Sequence, residues 1–285
     1  MRDGILITKG NGIKEPFNPD KLRASLKKAN ATVFVIDEIV DRISKEMVDG
    51  MTTAQIYKKA FEMLKSRAKD SAIKYSLRRS ILNLGPTGFP FEEYIAQLFT
   101  AKGYKARTGQ IMQGKCVSHE VDVVAANKNN FLLTEVKFHN QNGIKTDTKV
   151  ALYMKARFDD LATETFKFDG KNRKMTRGLL ITNTKFTENS KKYARCVGTF
   201  DMISWEYPKK GNLYDLIEET KLHPMTCVPV LSQYDKQELL KRGIVNCSDL
   251  KENTHVLKEI GVSEDKIKEI VSNIDMICSH ELHAD

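Results

Sequence analysis

The sequence predicts a multidomain α+β protein in three parts, and three observations carry that prediction. Its 285 residues exceed the roughly 100–200 that one ordinary domain occupies. Two Gly/Pro clusters, Gly85-Pro86-Thr87-Gly88 and Pro208-Lys209-Lys210-Gly211-Asn212, punctuate the chain as linkers. Between them the charge changes sign: residues 1–88 carry +7, residues 89–207 carry +6 and residues 208–285 carry −4, within a whole-chain charge of +9. The expected parts are therefore 1–88, 89–207 and 208–285. The first two suit phosphate-bearing partners, or a basic surface that only aids solubility. The third would need local donors to hold DNA. With 41% hydrophobic and 29% charged residues the composition excludes collagen, disordered tails and membrane proteins. No apolar run approaches the roughly 18 residues of a membrane span, and Met1-Arg2-Asp3-Gly4 lacks a signal peptide's apolar stretch, so the expectation is a cytoplasmic protein with no membrane partner. Five separated cysteines, Cys116, Cys196, Cys227, Cys247 and Cys278, contain no Cys-x-x-Cys and read as reduced thiols, neither disulfide framework nor zinc site.

In the first part, Ile5 to Lys9 and Ile13 to Phe17 flank Gly10-Asn11-Gly12, whose Asn-Gly suits the positive φ of a tight hairpin. Asn18-Pro19-Asp20 supplies an N-cap, a proline at the first helical position and a first-turn acid. Apolar spacing then predicts further helices over Val33 to Val48, over Ile56 to Leu64 behind Thr52-Thr53, and through Ile73, Leu77, Ile81 and Leu84. A hairpin followed by about four helices results.

Leu6-Ile7-Thr8-Lys9, the run Lys14 to Leu22, Met51-Thr52-Thr53-Ala54-Gln55-Ile56 and the Tyr75 to Arg79 stretch together resemble the ATP-cone, a nucleotide-sensing module of ribonucleotide reductases and of their transcriptional repressor. The resemblance implies that ATP or dATP lies against the hairpin and the start of the first helix, contacted by Lys9, Glu15, Phe17, Asn18, Lys21 and Thr53. Independently of it, a helix N-terminus flanked by Lys9 and Lys21 is suited to phosphate. The arginine usual at that family's hairpin is absent, since Lys9 is followed by Gly10-Asn11-Gly12.

In the second part, Pro90 opens a helix with the apolar stripe Phe91, Ile95, Leu98 and Phe99. Glu92 shares a face with Ile95, Ala96 and Phe99, so it points inward and asks for a cation or metal; Glu93 aligns with Ala96, Gln97 and Thr100. Residues 119–126 and 131–138 form a hairpin across Asn127-Lys128-Asn129-Asn130. Period two places Leu133, Glu135 and Lys137 on one strand face, and Leu132, Thr134, Val136 and Phe138 on the other. With Asp122 nearby, two carboxylates suited to an oxygen-liganded Mg²⁺ lie beside a lysine. A cross-strand ion pair and a strand-end acid are the bland alternatives. A helix over Lys149 to Leu161, a strand over Gly178 to Thr182, a helix over Asn189 to Cys196 and a strand over Phe200 to Trp205 complete the part.

Helix, hairpin, helix, strand, helix, strand is the order of the PD-(D/E)xK nuclease core. Phe91-Glu92, Glu120-Val121-Asp122, Glu135-Val136-Lys137, Leu179 to Asn183 and Met202 to Trp205 resemble its Mrr-like restriction-endonuclease branch, with Val121 where the motif has its proline. The resemblance implies that Asp122, Glu135 and the Val136 carbonyl hold Mg²⁺ or Mn²⁺. It further implies that Lys137 positions the attacking water and that Glu92 supports a second metal or orients metal-bound water. The catalytic set is then Glu92, Asp122, Glu135 and Lys137. The roles of His119 and Glu120 stay open, and His139 reads as a phosphate contact or a surface histidine. Lys149, Tyr153, Lys155 and Arg157 either bind backbone phosphates or form a solvated helix side.

The third part predicts helices over Leu231 to Lys241, Asn253 to Glu259 and Glu264 to Ile274, with glycine turns at Gly243 and Gly261 and a fraying tail from Ser279 to Asp285. Leu257 to Val271 is similar to a helix-hairpin-helix, and an acidic bundle for protein contacts is the alternative. The expected function is a metal-dependent DNA endonuclease controlled by ATP or dATP, with DNA, the nucleotide effector and further copies of the chain as partners. The alternative is a non-catalytic, nucleotide-responsive DNA-binding regulator. No Gly-x-x-x-x-Gly-Lys-Ser/Thr occurs, so bound ATP is expected to be sensed rather than hydrolysed.

Overall fold

The computed structural model describes residues 5–9, 12–141 and 143–278. The Gly10-Asn11 turn, the Met1 to Gly4 start and the Ser279 to Asp285 tail lie outside them. Strands β1 (Leu6–Thr8) and β2 (Lys14–Pro16) pair antiparallel, Thr8 opposite Lys14. Helices α1 (Pro19–Lys28), α2 (Val33–Glu46), α3 (Thr53–Arg67) and α4 (Lys69–Leu82) follow. Their starts obey the capping chemistry: Asn18 accepts from the Asp20 and Lys21 amides, and Thr52 with Gln55 forms a capping box. The amide of Thr8 donates to the Met51 carbonyl at 3.0 Å, which seats the hairpin beside the start of α3. Ile7, Leu22, Leu26, Ile39, Ile43 and Leu64 form the core of this unit.

Helix α5 (Phe89–Ala101) leads into β3 (Lys105–Gln113), β4 (Ser118–Ala126) and β5 (Phe131–Lys137). Then come β6 (Lys145–Thr146), α6 (Thr148–Ala162), β7 (Phe166–Phe168) and β8 (Lys171–Arg173). Strand β9 (Arg177–Thr182), β10 (Lys185–Phe186), α7 (Glu188–Val197) and β11 (Phe200–Ile203) end the unit. The mixed five-stranded sheet has the order β11-β9-β5-β4-β3, antiparallel from β3 to β5 and parallel from β5 to β11. Val123, Leu132, Val136 and Ile181 pack on α5 from one face. Val124, Leu133, Leu180 and Met202 meet α6 and α7 on the other. The sequence pattern does not announce β3: as an edge strand it buries only Met112, so it lacks the apolar alternation that marks a strand.

A β-carbon at Gly178 on β9 would fall 2.6 Å from the ring of Phe158, which is buried against Phe200. Gly178→Ala is therefore expected to cost roughly 1–3 kcal/mol by overpacking. A urea midpoint equal to wild type would contradict that close approach.

The last segment contains α8 (Leu213–Thr220), a 3₁₀ turn at Met225–Cys227, α9 (Gln233–Lys241), α10 (Cys247–Glu252), α11 (His255–Glu259) and α12 (Glu264–Cys278). Helices α8 and α10 are additions to those expected from sequence. Leu231 and Asn253 fall outside α9 and α11, because the Ser232 capping box with Asp235 sets the start of α9 and Asn253 terminates α10. The glycine turns are present, with φ +77° at Gly243 and +85° at Gly261. Cys227 and Cys247, far apart in sequence, approach to 3.9 Å between sulfurs.

This segment shares one core with α5 and the sheet: Met225, Leu239, Leu250, Ile270 and Ile274 join Tyr94, Ile95 and Leu98. Polar ties reinforce the contact, with Tyr94 donating to the Leu222 carbonyl at 2.5 Å and Gln97 paired with Asn246 and Asp249. Helix α4 reaches both cores, since Ala72 belongs to the first and Leu77 and Ile81 belong to the second. The chain leaving α4 passes close to the end of β5, where a β-carbon at Gly85 would lie 2.7 Å from the Phe138 ring.

Candidate active site

The antiparallel ladder between β4 and β5 ends at Val123 opposite Thr134, while β5 stays paired with β9 as far as Lys137 opposite Thr182. Past Thr134 one edge of β5 is therefore open. Asp122 fills it: its carboxylate accepts from the Val136 amide at 2.7 Å. The alternation of β4 breaks at the same residue, since Val121 packs on the α6 side although Val123 and Ala125 pack on the α5 side. Gly109, with φ +58°, lies in β3 at the register position across from Asp122. Because the amide and carbonyl of one strand residue point the same way, the Val136 carbonyl faces this opening too.

Glu135 lies beside it, only 4% exposed. A buried carboxylate needs cations, and it has two: Lys137 Nζ at 2.6 Å from Oε1 and Arg157 Nη1 at 2.7 Å from Oε2. Arg157 comes from α6 and corrects the solvated-side reading of that helix, since its side chain is 12% exposed and folds onto Tyr153. Arg157 was available from spacing. It follows Val150 by seven and Met154 by three, placing a cation on the apolar stripe of α6. Lys149 stays exposed, and Lys155 pairs with Asp159.

Glu92 approaches the cluster from α5. Burial first, then the charges of Asp122, Glu120 and Glu135, push its carboxyl up to about 7, while Lys137 opposes the rise. Burial and then Glu135 push Asp122 up to about 6, against the Val136 amide, Lys137 and Arg157. Glu93 is engaged elsewhere, accepting from Thr108 at 2.9 Å. The structure thus brings Glu92, Asp122, Glu135 and Lys137 together.

Raised carboxyl pKa values make the folded state hold protons that the unfolded chain has released, so stability falls as pH rises from about 4 to about 7. Melting between pH 5 and pH 8 is therefore expected to show a smaller fall in Asp122→Asn and Glu92→Gln than in wild type. Equal slopes in all three proteins would contradict this origin. Among the described residues no three His, Cys, Asp or Glu side chains close on one metal position. The Asp122 and Glu135 carboxylates and the Val136 carbonyl would offer oxygen donors of the kind Mg²⁺ or Mn²⁺ takes, completed by water. After burial, it is the charge of neighbouring carboxylates that lifts Glu92 and Asp122, and such a cation would relieve that charge.

His119 pairs with Asp160 of α6 at 2.8 Å. Asp160 also receives the Cys116 and Val117 amides, clamping the β3–β4 turn, and the His119 hydrogen bond foremost lowers its carboxyl to about 2. His139 is partly exposed: its ring meets Thr146 at 3.1 Å and Asn183 holds both its amide and its carbonyl.

In the N-terminal unit, Glu15 binds Lys9 at 2.6 Å and Lys21 at 3.1 Å, and these lysines, Lys9 first, lower its carboxyl. Asn18 caps α1 directly behind them, Phe17 packs on the unit's core, and Thr53 opens α3 after Thr52, which bridges to Thr8. A separate groove of about 340 Å³ between α2 and α3, lined by Arg42, Glu46, Lys58 and Lys59 among others, uses none of these residues.

Comparisons with known proteins match three segments of the chain. The ATP cone domain matches residues 5–83, a restriction endonuclease domain of the Mrr catalytic type matches residues 86–206, and the AF1548-like C-terminal domain matches residues 223–278. An uncharacterized protein of Archaeoglobus fulgidus is 36% identical over 182 residues, which cover 62% of this chain and 96% of the relative. This chain belongs to the AF1548-like family. A crystal structure of AF1548, described as a protein of unknown function, superposes with a TM-score of 0.54 at 33% identity, covering 68% of this chain and all of the other. This AF1548-like chain thus carries an ATP cone followed by a restriction endonuclease-like domain. No helix among its described residues is long and apolar enough to cross a membrane.

Proposed function

We propose that the protein is a metal-dependent DNA endonuclease whose activity responds to ATP or dATP at the cone. The observation that carries this reading is the open edge of β5, where Asp122, buried Glu135 and Lys137 converge with Glu92 within a restriction endonuclease-like domain. Asp122, Glu135 and the Val136 carbonyl would hold Mg²⁺ or Mn²⁺. Such an ion, when bound, lowers the pKa of water and offsets charge on the phosphodiester. Lys137 positions the attacking water, and Glu92, poised near neutrality, orients it and accepts its proton. Water oxygen attacks phosphorus in line, the bond from phosphorus to the leaving sugar oxygen breaks, and that oxygen takes a proton from solvent water to leave as a hydroxyl.

For the cone, Lys9 and Lys21 beside the N-terminus of α1 suit nucleotide phosphates, with Glu15, Phe17, Asn18 and Thr53 around them. Helix α4, shared by both cores, and the Gly85 contact with Phe138 next to Lys137 offer a physical route to the nuclease site. A nucleotide shifts the activity only through different affinities for two states.

The test is single-turnover cleavage of plasmid and branched DNA by the full chain with Mg²⁺, alone and with ATP or dATP. Metal-dependent cleavage whose rate changes with nucleotide is expected. DNA binding without cleavage of any substrate would overturn the enzyme and leave a nucleotide-responsive regulator.

A further inference from the structure

We infer that Arg157 is a positioning residue for metal capture: it holds one oxygen of Glu135 so that the other is presented to the ion. The inference rests on the metal reading of Asp122 and Glu135 given above. Glu135 carries two cations of unequal freedom. Lys137 is 37% exposed, sits on a flexible stem, and its ammonium bonds Glu135 Oε1. Arg157 is 12% exposed and is held at three points. Nη1 donates to Glu135 Oε2 at 2.7 Å, Nη2 donates to the Glu120 carbonyl, and the guanidinium lies 5.6 Å from the Tyr153 ring centre. Its fork therefore ties β5, β4 and α6 together around one carboxylate, at the place where the two strands part.

Of the two cations, Lys137 is the one that leaves. When it turns to water and phosphate, Oε1 is freed toward the opening while Oε2 stays on Arg157, so Glu135 meets the ion through one oxygen in a fixed rotamer. Without the guanidinium, an almost fully buried carboxylate would turn toward Lys137 alone and the ion would find a mobile ligand. Arg157 also keeps a positive charge beside Glu135 in the absence of metal, which a buried carboxylate requires.

The experiment compares wild type, Arg157→Met, Arg157→Lys, Glu135→Gln and the Glu135→Gln/Arg157→Met double variant as full chains. Folding is checked by melting, Mn²⁺ binding is measured by electron paramagnetic resonance, and cleavage is followed against Mg²⁺ and against DNA. Arg157→Met is expected to raise the Mn²⁺ dissociation constant and the half-saturating Mg²⁺ by roughly 10–100-fold with KM for DNA unchanged. Arg157→Lys, which keeps the charge but loses the fork, is expected between the two, and it carries the test if the methionine variant does not fold. In the Glu135→Gln background the methionine change is expected to add nothing, because Arg157 acts through Glu135. A folded arginine variant that binds Mn²⁺ as wild type does would overturn the inference. So would a penalty that persists in full without Glu135. A wild type that neither takes Mn²⁺ nor cuts DNA overturns the metal reading itself, and this inference with it.

Discussion

Asp122→Ala is expected to abolish metal-dependent cleavage while leaving DNA bound, and Lys137→Ala to do nearly the same. Asp122 both caps the Val136 amide and faces the opening, so its loss removes one of the two carboxylates of the proposed donor set. Metal-assisted charge stabilisation amounts to several kcal/mol, and tenfold in rate corresponds to about 1.4, so a fall of roughly 10³-fold or more follows. Lys137→Ala leaves the proposed ligands in place and removes the group proposed to position water, for which losses of roughly 10²–10⁴-fold are typical. Single-turnover rates at saturating Mg²⁺ separate the cases: Lys137→Ala keeps its metal dependence, whereas Asp122→Ala loses it. Wild-type rates in either variant would place the chemistry elsewhere.

Ile81→Ala carries the largest expected loss of stability. Ile81 is fully buried on α4 in the core that also holds Trp205, the sheet and the C-terminal helices. Truncating a fully buried isoleucine costs roughly 2–5 kcal/mol through lost transfer energy and the cavity left behind. The single tryptophan reports on that core, so urea unfolding followed by Trp205 fluorescence reads the change directly. A lower midpoint in one cooperative transition is expected. A loss below about 1 kcal/mol would mean that α4 does not join the cores as described.

What could be read from sequence was local. Asn18-Pro19-Asp20 and Thr52 set helix starts by short-range hydrogen bonds, and Glu135-Val136-Lys137 announced itself because two charges recur on one face of an apolar strand. The place of Arg157 on the apolar stripe of α6 was legible, but its pairing with Glu135 was not, because that pairing spans 22 residues and depends on how α6 lies over the sheet. Strand β3 was hidden because an edge strand needs little apolar alternation. The continuity of the last segment with the central core was hidden for another reason. Acidic surface residues set its net charge, while Leu239, Leu250, Ile270 and Ile274 turn inward onto Tyr94 and Leu98, and charge counting sees only the outside.

The proposed function requires that the opening beside β5 hold a metal ion and hydrolyse DNA. Nicking of supercoiled plasmid by the purified full chain, in Mg²⁺ and in EDTA, beside Asp122→Asn, tests it most directly. Nicking by wild type in Mg²⁺ only is expected. Nicking in EDTA or at equal rate by Asp122→Asn would contradict it, as would no nicking by wild type that has bound the DNA.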